Sequence, residues 1–111
     1  LDSAPPGMLG LQTALPLALG ELGLDLPRII ELLSVAPARI AGVSDRHGGP
    51  IEVGRRANLT VFDPEQTWMV RGSELASRSR NTPYEGRTLR GKVRHTVLHG
   101  VPTVVDGLAQ R

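Results

Sequence analysis

The spacing of apolar residues changes once along this chain, near Gly42. Before that point Leu15, Ala18, Leu19 and Leu22 stand at i, i+3, i+4 and i+7. That spacing puts them on one face of a helix predicted over about 13–23, with Gly23 as its stop. Pro27 suits the first turn of a second helix over about 27–35, carrying Ile29, Ile30, Leu32 and Leu33. Ala36-Pro37-Ala38-Arg39-Ile40 reads as a third short turn, with Pro37 at its start and Gly42 at its end.

After Gly42 the period becomes that of strands, and mainly β-structure is expected from about 51 to 106. Gly48-Gly49-Pro50 marks a turn, and Ile51-Glu52-Val53 a short extended piece ending at Gly54. Leu59–Phe62 and Thr67–Val70 are two β-branched and aromatic runs separated by the turn former Asp63-Pro64. Ser73 to Ser77 predicts one helical turn with Ser73 as its cap. From Lys92 to His99 the residues alternate, and Gly100-Val101-Pro102 turns the chain into Thr103–Asp106. The residues alone therefore predict short helices followed by a small sheet, without internal repeats.

Composition narrows the picture only in part. The 111 residues suit one domain or a piece of a larger one. With single Trp, Tyr and Phe residues, aliphatic side chains and Ala must supply the core. The absence of Cys excludes disulfides and thiolate metal sites. No apolar run approaches the roughly 20 residues that span a bilayer, so no membrane partner and a cytoplasmic setting are expected. The net charge is +2, and Arg supplies nearly all of the positive charge. Arg78, Arg80, Arg87, Arg90, Lys92 and Arg94 form the one basic run, where Tyr84 alone could stack on a base. A solvated, ion-paired surface is expected there, not a nucleic-acid site.

Self-contained chemistry is not evident. His95 and His99 share one side of an alternating strand, but four residues of strand span on the order of 13 Å, too far to share an ion. His47 sits in a polar loop. Asp63 is better used in its turn, and Ser34, Ser44 and Ser73 have no evident base. No catalytic residue and no metal ligand is assigned within the chain.

Two stretches carry more specific information. Ala4-Pro5-Pro6-Gly7-Met8-Leu9-Gly10-Leu11-Gln12-Thr13 sets a rigid corner before a helical run. Such a corner can present peptide N–H and C=O groups to a ligand. It also lacks an initiator Met, and it reads as the interior of a longer chain. Ser77-Arg78-Ser79-Arg80-Asn81-Thr82-Pro83-Tyr84-Glu85-Gly86 is the second stretch, followed by Gly91-Lys92-Val93.

Together these stretches resemble the C-terminal end of the long-chain dihydroorotases, within the cyclic amidohydrolases. The first matches the family pattern Ala-Pro-x-Gly-(apolar)-x-Gly-Leu-Glu-Thr, with Pro6 at x and Gln12 for the usual Glu. The second matches the family's Ser-(Lys/Arg)-Ser-(Lys/Arg)-Asn-(Thr/Ser)-Pro-(Phe/Tyr)-x-Gly element, a related form of which occurs in allantoinases. Ser34–Ile40 resembles the family's last barrel helix. Gly54-Arg55-Arg56-Ala57-Asn58-Leu59-Thr60-Val61-Phe62-Asp63 resembles a strand shared by many amidohydrolases, with Asn58 for the usual Asp.

The resemblance implies an α/β fold: residues 1–42 end a metal-dependent (β/α)₈ barrel, and residues 43–111 supply strands of a small composite β-sandwich. It implies a dihydroorotase, cyclising N-carbamoyl-L-aspartate to L-dihydroorotate in de novo pyrimidine biosynthesis. The alternatives are an allantoinase or hydantoinase-type cyclic amidase, or a metal-free dihydroorotase-like scaffold. Two zinc ions would be held by residues upstream of Leu1, so residues 1–111 alone are expected to be inactive. Family members bind the substrate ring through backbone groups that correspond to Pro6 and Gly7. Pro6 offers only its carbonyl, while Gly7 keeps both groups. The partner implied is the small-molecule substrate, with self-association or association with other pyrimidine enzymes left open.

Overall fold

The computed structural model of the chain describes residues 3, 4 and 7–110. Helices come first and a sheet follows, as the change of period predicts. Helix α1 spans Leu11–Glu21 and α2 spans Leu26–Ile30. A π-helical turn over Glu31–Val35 leads without a break into α3, Ala36–Ile40. Strands β1 (Leu59–Met69), β2 (Thr88–Leu98), β3 (Val101–Val105) and β4 (Leu108–Ala109) form an antiparallel sheet in the order β1-β2-β3-β4.

The helix signals act locally as their chemistry requires. Gly23 and Gly42, both at positive φ, follow the ends of α1 and α3. Asp25 caps α2, its Oδ1 accepting from the Arg28 N–H at 3.1 Å, and Pro27 occupies the first turn. The separate third turn expected at Ala36 is instead a continuation of one helical path. A proline in a regular α-helix clashes with the carbonyl four residues back. Here the turn ahead of Pro37 widens, so that the Ala36 N–H reaches the Glu31 carbonyl five residues back.

Helix α1 lies on β2, and its buried face is not the one that leucine spacing predicts. Thr13, Pro16 and Ala18 are buried, whereas Leu15 and Leu19 are half-buried and Leu22 is exposed. The reason is the crossing point. A β-carbon on Gly91 of β2 would stand 2.6 Å from Leu19 Cδ1 and 3.6 Å from Pro16 Cα. The bare backbone at Gly91 lets the helix close on the sheet through Pro16. Gly91 also accepts a hydrogen bond from Trp68 Nε1 of β1 at 2.8 Å.

Two expectations for the strands need correction. Ile51–Val53 is not a strand; Ile51 and Val53 are fully exposed in a turn region. Leu59–Phe62 and Thr67–Met69 belong to one strand. Between Asp63, opposite Lys92, and Thr67, opposite Arg90, β1 makes a detour. Asp63 Oδ1 accepts from the N–H groups of Glu65 and Gln66 at 2.9 and 3.2 Å. Pro64 sits in that detour on an edge strand, where its missing N–H costs no ladder bond. Asp63-Pro64 thus forms a local turn, as expected, but the chain returns to the same partner.

The sheet closes through two two-residue hairpins, at His99-Gly100 and Asp106-Gly107. All four residues have positive φ, as the turn matching the sheet's twist requires. This corrects the placement of His99: it lies in the turn after β2, not on a face shared with His95. The buried apolar set is small, comprising Ala18, Ile29, Ala38, Val70 and Leu89. Leu22, Leu24, Leu26, Ile30 and Leu33 remain exposed along the α1–α2 side.

Candidate functional site

The two motif stretches, 4–13 and 77–86, meet in space. Pro6 lies outside the described residues. Gly7 is described, exposed, with φ +74°. Its carbonyl accepts a hydrogen bond from Asn81 Nδ2, a residue 74 positions away. Two residues on, the Leu9 N–H donates to the Asn81 backbone carbonyl at 2.8 Å. Gln12 completes the seam, its Oε1 accepting from the Ala76 N–H at 2.8 Å. A Glu carboxylate could accept the same N–H, so Gln12 preserves the contact open to the family's usual residue.

The second stretch is folded by its own hydrogen bonds. The Ser77 and Ser79 hydroxyls accept from the N–H groups of Ser79 and Asn81 at 3.2 and 3.5 Å, and Thr82 Oγ1 accepts from Tyr84 N–H at 3.2 Å. These local bonds fold the loop without regular structure. Behind it, the Gly86 N–H donates to the carbonyl of the fully buried Val70 at 2.8 Å, and Val70 N–H donates to Arg87 at 2.9 Å. Glu85 Oε2 accepts from Gly72 N–H at 2.6 Å, holding the 3₁₀ turn Gly72–Glu74. Ser73 does not cap that turn with its side chain. Arg87 is ion-paired with Glu21 of α1 and stands over the Tyr84 ring.

Between the stretches lies an apolar pocket of about 460 Å³, lined by Met8–Thr13 on one side and Leu75–Ser77 on the other. Thr13 forms part of its floor; its N–H and hydroxyl both bond to the Gly10 carbonyl, at 3.3 and 3.2 Å. The pocket walls are mainly apolar, the common lining of small-ligand sites.

The remaining candidates are used structurally. Among the described residues, no group of three or more His, Asp or Glu side chains could hold a metal ion. The described residues thus do not fit a metal centre. His47 stacks on His99 with ring centroids 6.3 Å apart, and His95 faces Asp106, Nε2 to Oδ1 at 3.7 Å. Asn58 ties the loop 43–49 to the first hairpin, donating to the Arg46 carbonyl and accepting from His99 N–H, both at 2.8 Å. In the basic run, Arg90 pairs with Glu65 at 3.1 Å and Arg94 with Asp106 at 3.4 Å. No helix among the described residues is long and apolar enough to cross a membrane.

Comparison with known proteins bears on this arrangement directly. The sequence profile of the Amidohydrolase family matches residues 4–103. The chain belongs to the amidohydrolase family. Within it, a dihydroorotase of Mycobacterium leprae is 51% identical over 106 residues, covering 92% of this chain and 24% of that protein. A dihydroorotase of Mycobacterium tuberculosis is 48% identical over 109 residues, covering 95% and 25%. The chain thus spans about a quarter of the length of these curated relatives. An L-hydantoinase (dihydropyrimidinase) from Arthrobacter aurescens superposes with a TM-score of 0.84 at 29% identity, over 97% of this chain and 25% of that one. A D-hydantoinase from a Thermus species shares the fold at 23% identity and a TM-score of 0.83, over 98% of this chain and 24% of that one.

Sequence reasoning singled out Gly7 and missed Asn81. The Gly7 carbonyl, one of the two backbone groups expected to be open to a ligand, accepts from Asn81 through one of its two lone pairs. The clue was present in principle: a lone amide inside a run of arginines and hydroxyl residues offers both a donor and an acceptor.

Proposed function

We propose that this chain is the portion of a zinc-dependent dihydroorotase that binds the substrate ring and closes the fold. The complete protein would interconvert N-carbamoyl-L-aspartate and L-dihydroorotate in de novo pyrimidine biosynthesis, in the cytoplasm. The observation that carries this reading is the seam between Gly7 and Asn81, which joins the two dihydroorotase-like stretches across 74 positions. The identity of close to half with proteins named dihydroorotase supports it.

In this reading residues 1–42 close a (β/α)₈ barrel and residues 43–111 add strands to a composite β-sandwich. The exposed leucines of the α1–α2 side are apolar surface of the kind that such neighbours cover. The two zinc ions would be held outside Leu1–Arg111, and what they supply is an activated water. What this chain supplies is binding. Pro6 would offer its carbonyl and Gly7 its N–H to the ring, beside the apolar wall of Met8 and Leu75.

A hydantoinase-type cyclic amidase is the second reading, favoured by the solved structures that superpose on the chain. Purified full-length protein decides between them when offered dihydroorotate, allantoin and hydantoin, with its metal content measured alongside. Turnover of dihydroorotate by a zinc-loaded protein supports the first reading. Turnover of hydantoin alone supports the second, and a metal-free, inactive protein supports a scaffold.

A further inference from the structure

We propose that Asn81 is a positioning residue for substrate binding: it fixes the backbone from Gly7 to Leu9, the corner whose Gly7 N–H would meet the substrate ring. This rests on the dihydroorotase reading given above, and on three structural observations. First, Gly7 has φ +74°, and a β-carbon there would meet nothing within 4 Å. Packing therefore does not orient it; a glycine in open surroundings has many conformations available. Second, Asn81 grips this backbone twice, through Nδ2 to the Gly7 carbonyl and through its own carbonyl to Leu9 N–H. Third, Asn81 is itself anchored, its N–H bonded to Ser79 Oγ and its loop bonded through Gly86 to buried Val70.

The consequence is a division of labour at the corner. Asn81 holds the backbone on the far side of Gly7, and the Gly7 N–H, from which no described residue accepts, is the group left for a ligand. A corner held in place binds a ring better than one that must first be ordered. Fixing one residue's backbone is worth about tenfold in affinity. The loop 77–86 thus supports the substrate corner from behind without touching the substrate.

The test uses the full-length protein with Asn81→Ala and Asn81→Asp. Aspartate keeps the shape and the backbone bond to Leu9, but its carboxylate cannot donate to the Gly7 carbonyl. Both variants are expected to raise KM for dihydroorotate about tenfold, with kcat within about twofold of the parent. Amide hydrogen exchange should quicken in the segment 7–13 and stay unchanged over 59–105. An active parent whose variants keep KM within twofold would overturn the proposal. So would exchange that is unaltered at 7–13, or that rises everywhere together with a fall in kcat. A parent that does not turn over dihydroorotate defeats the dihydroorotase reading itself, whereas unaltered exchange at 7–13 in variants of an active parent counts against the Asn81 proposal alone.

Discussion

Gly48 offers the sharpest test of how the loop 43–49 is seated on the helices. Its φ is +65°, and a β-carbon there would stand 2.6 Å from Ala38 Cβ and 2.7 Å from the Ser34 carbonyl oxygen. Neither is the free end of a flexible side chain: Ala38 is buried, and Ser34 contributes backbone from the π-helical turn. Gly48→Ala therefore carries two costs. Holding alanine in the left-handed region costs about 1–2 kcal/mol. Forcing a methyl group into a filled site adds about 1–3 kcal/mol. Gly23 separates the two, because its φ is +62° and a β-carbon there would meet nothing within 4 Å. Gly23→Ala should carry the first cost alone. With a urea slope on the order of 3 kcal/mol/M, the midpoint should fall by about 1 M for Gly48→Ala and about 0.5 M for Gly23→Ala. Urea unfolding of the full-length protein, followed by far-ultraviolet circular dichroism, gives both numbers. Equal losses for the two variants would refute the close seating of the loop against Ser34 and Ala38.

Two further outcomes test the packing and the polar ties. Ile29 is 1% exposed, so Ile29→Ala should destabilise the full-length protein by about 3 kcal/mol in the same urea assay. Asn58→Asp installs the residue that many amidohydrolases carry, yet here it should cost about 1 kcal/mol. The carboxylate can still accept from His99 N–H but can no longer donate to the Arg46 carbonyl; a midpoint unchanged or raised would count against that tie.

What could be read from the residues was what neighbours in sequence decide. Gly23, Pro27 and Gly42 act within a few residues, and the helix ends fall close to where they point. The alternation from Lys92 onward settles β2 in the same way. The misreadings arise where a distant partner decides. The π-helical turn forms because the helix continues past Pro37 and does not restart there. Asp63-Pro64 looks like the end of a strand until β2 is seen to pair on both sides of it. The face of α1 is chosen by Gly91, which lies on the strand that it crosses. Ile51-Glu52-Val53 has strand composition but finds no partner among the described strands. The site shows the same division. Gly7 stands out by its corner, whereas the Asn81 contact spans 74 positions and leaves no periodic trace in the sequence.

The most direct test of the central claim is the ratio of kcat/KM for dihydroorotate to that for hydantoin, measured on the purified full-length protein with its native metal. The dihydroorotase reading, with the Gly7 corner held by Asn81, predicts a ratio above about tenfold in favour of dihydroorotate, the margin that about 1.4 kcal/mol of preferential binding supplies. A ratio below one, or no turnover of dihydroorotate, would contradict it.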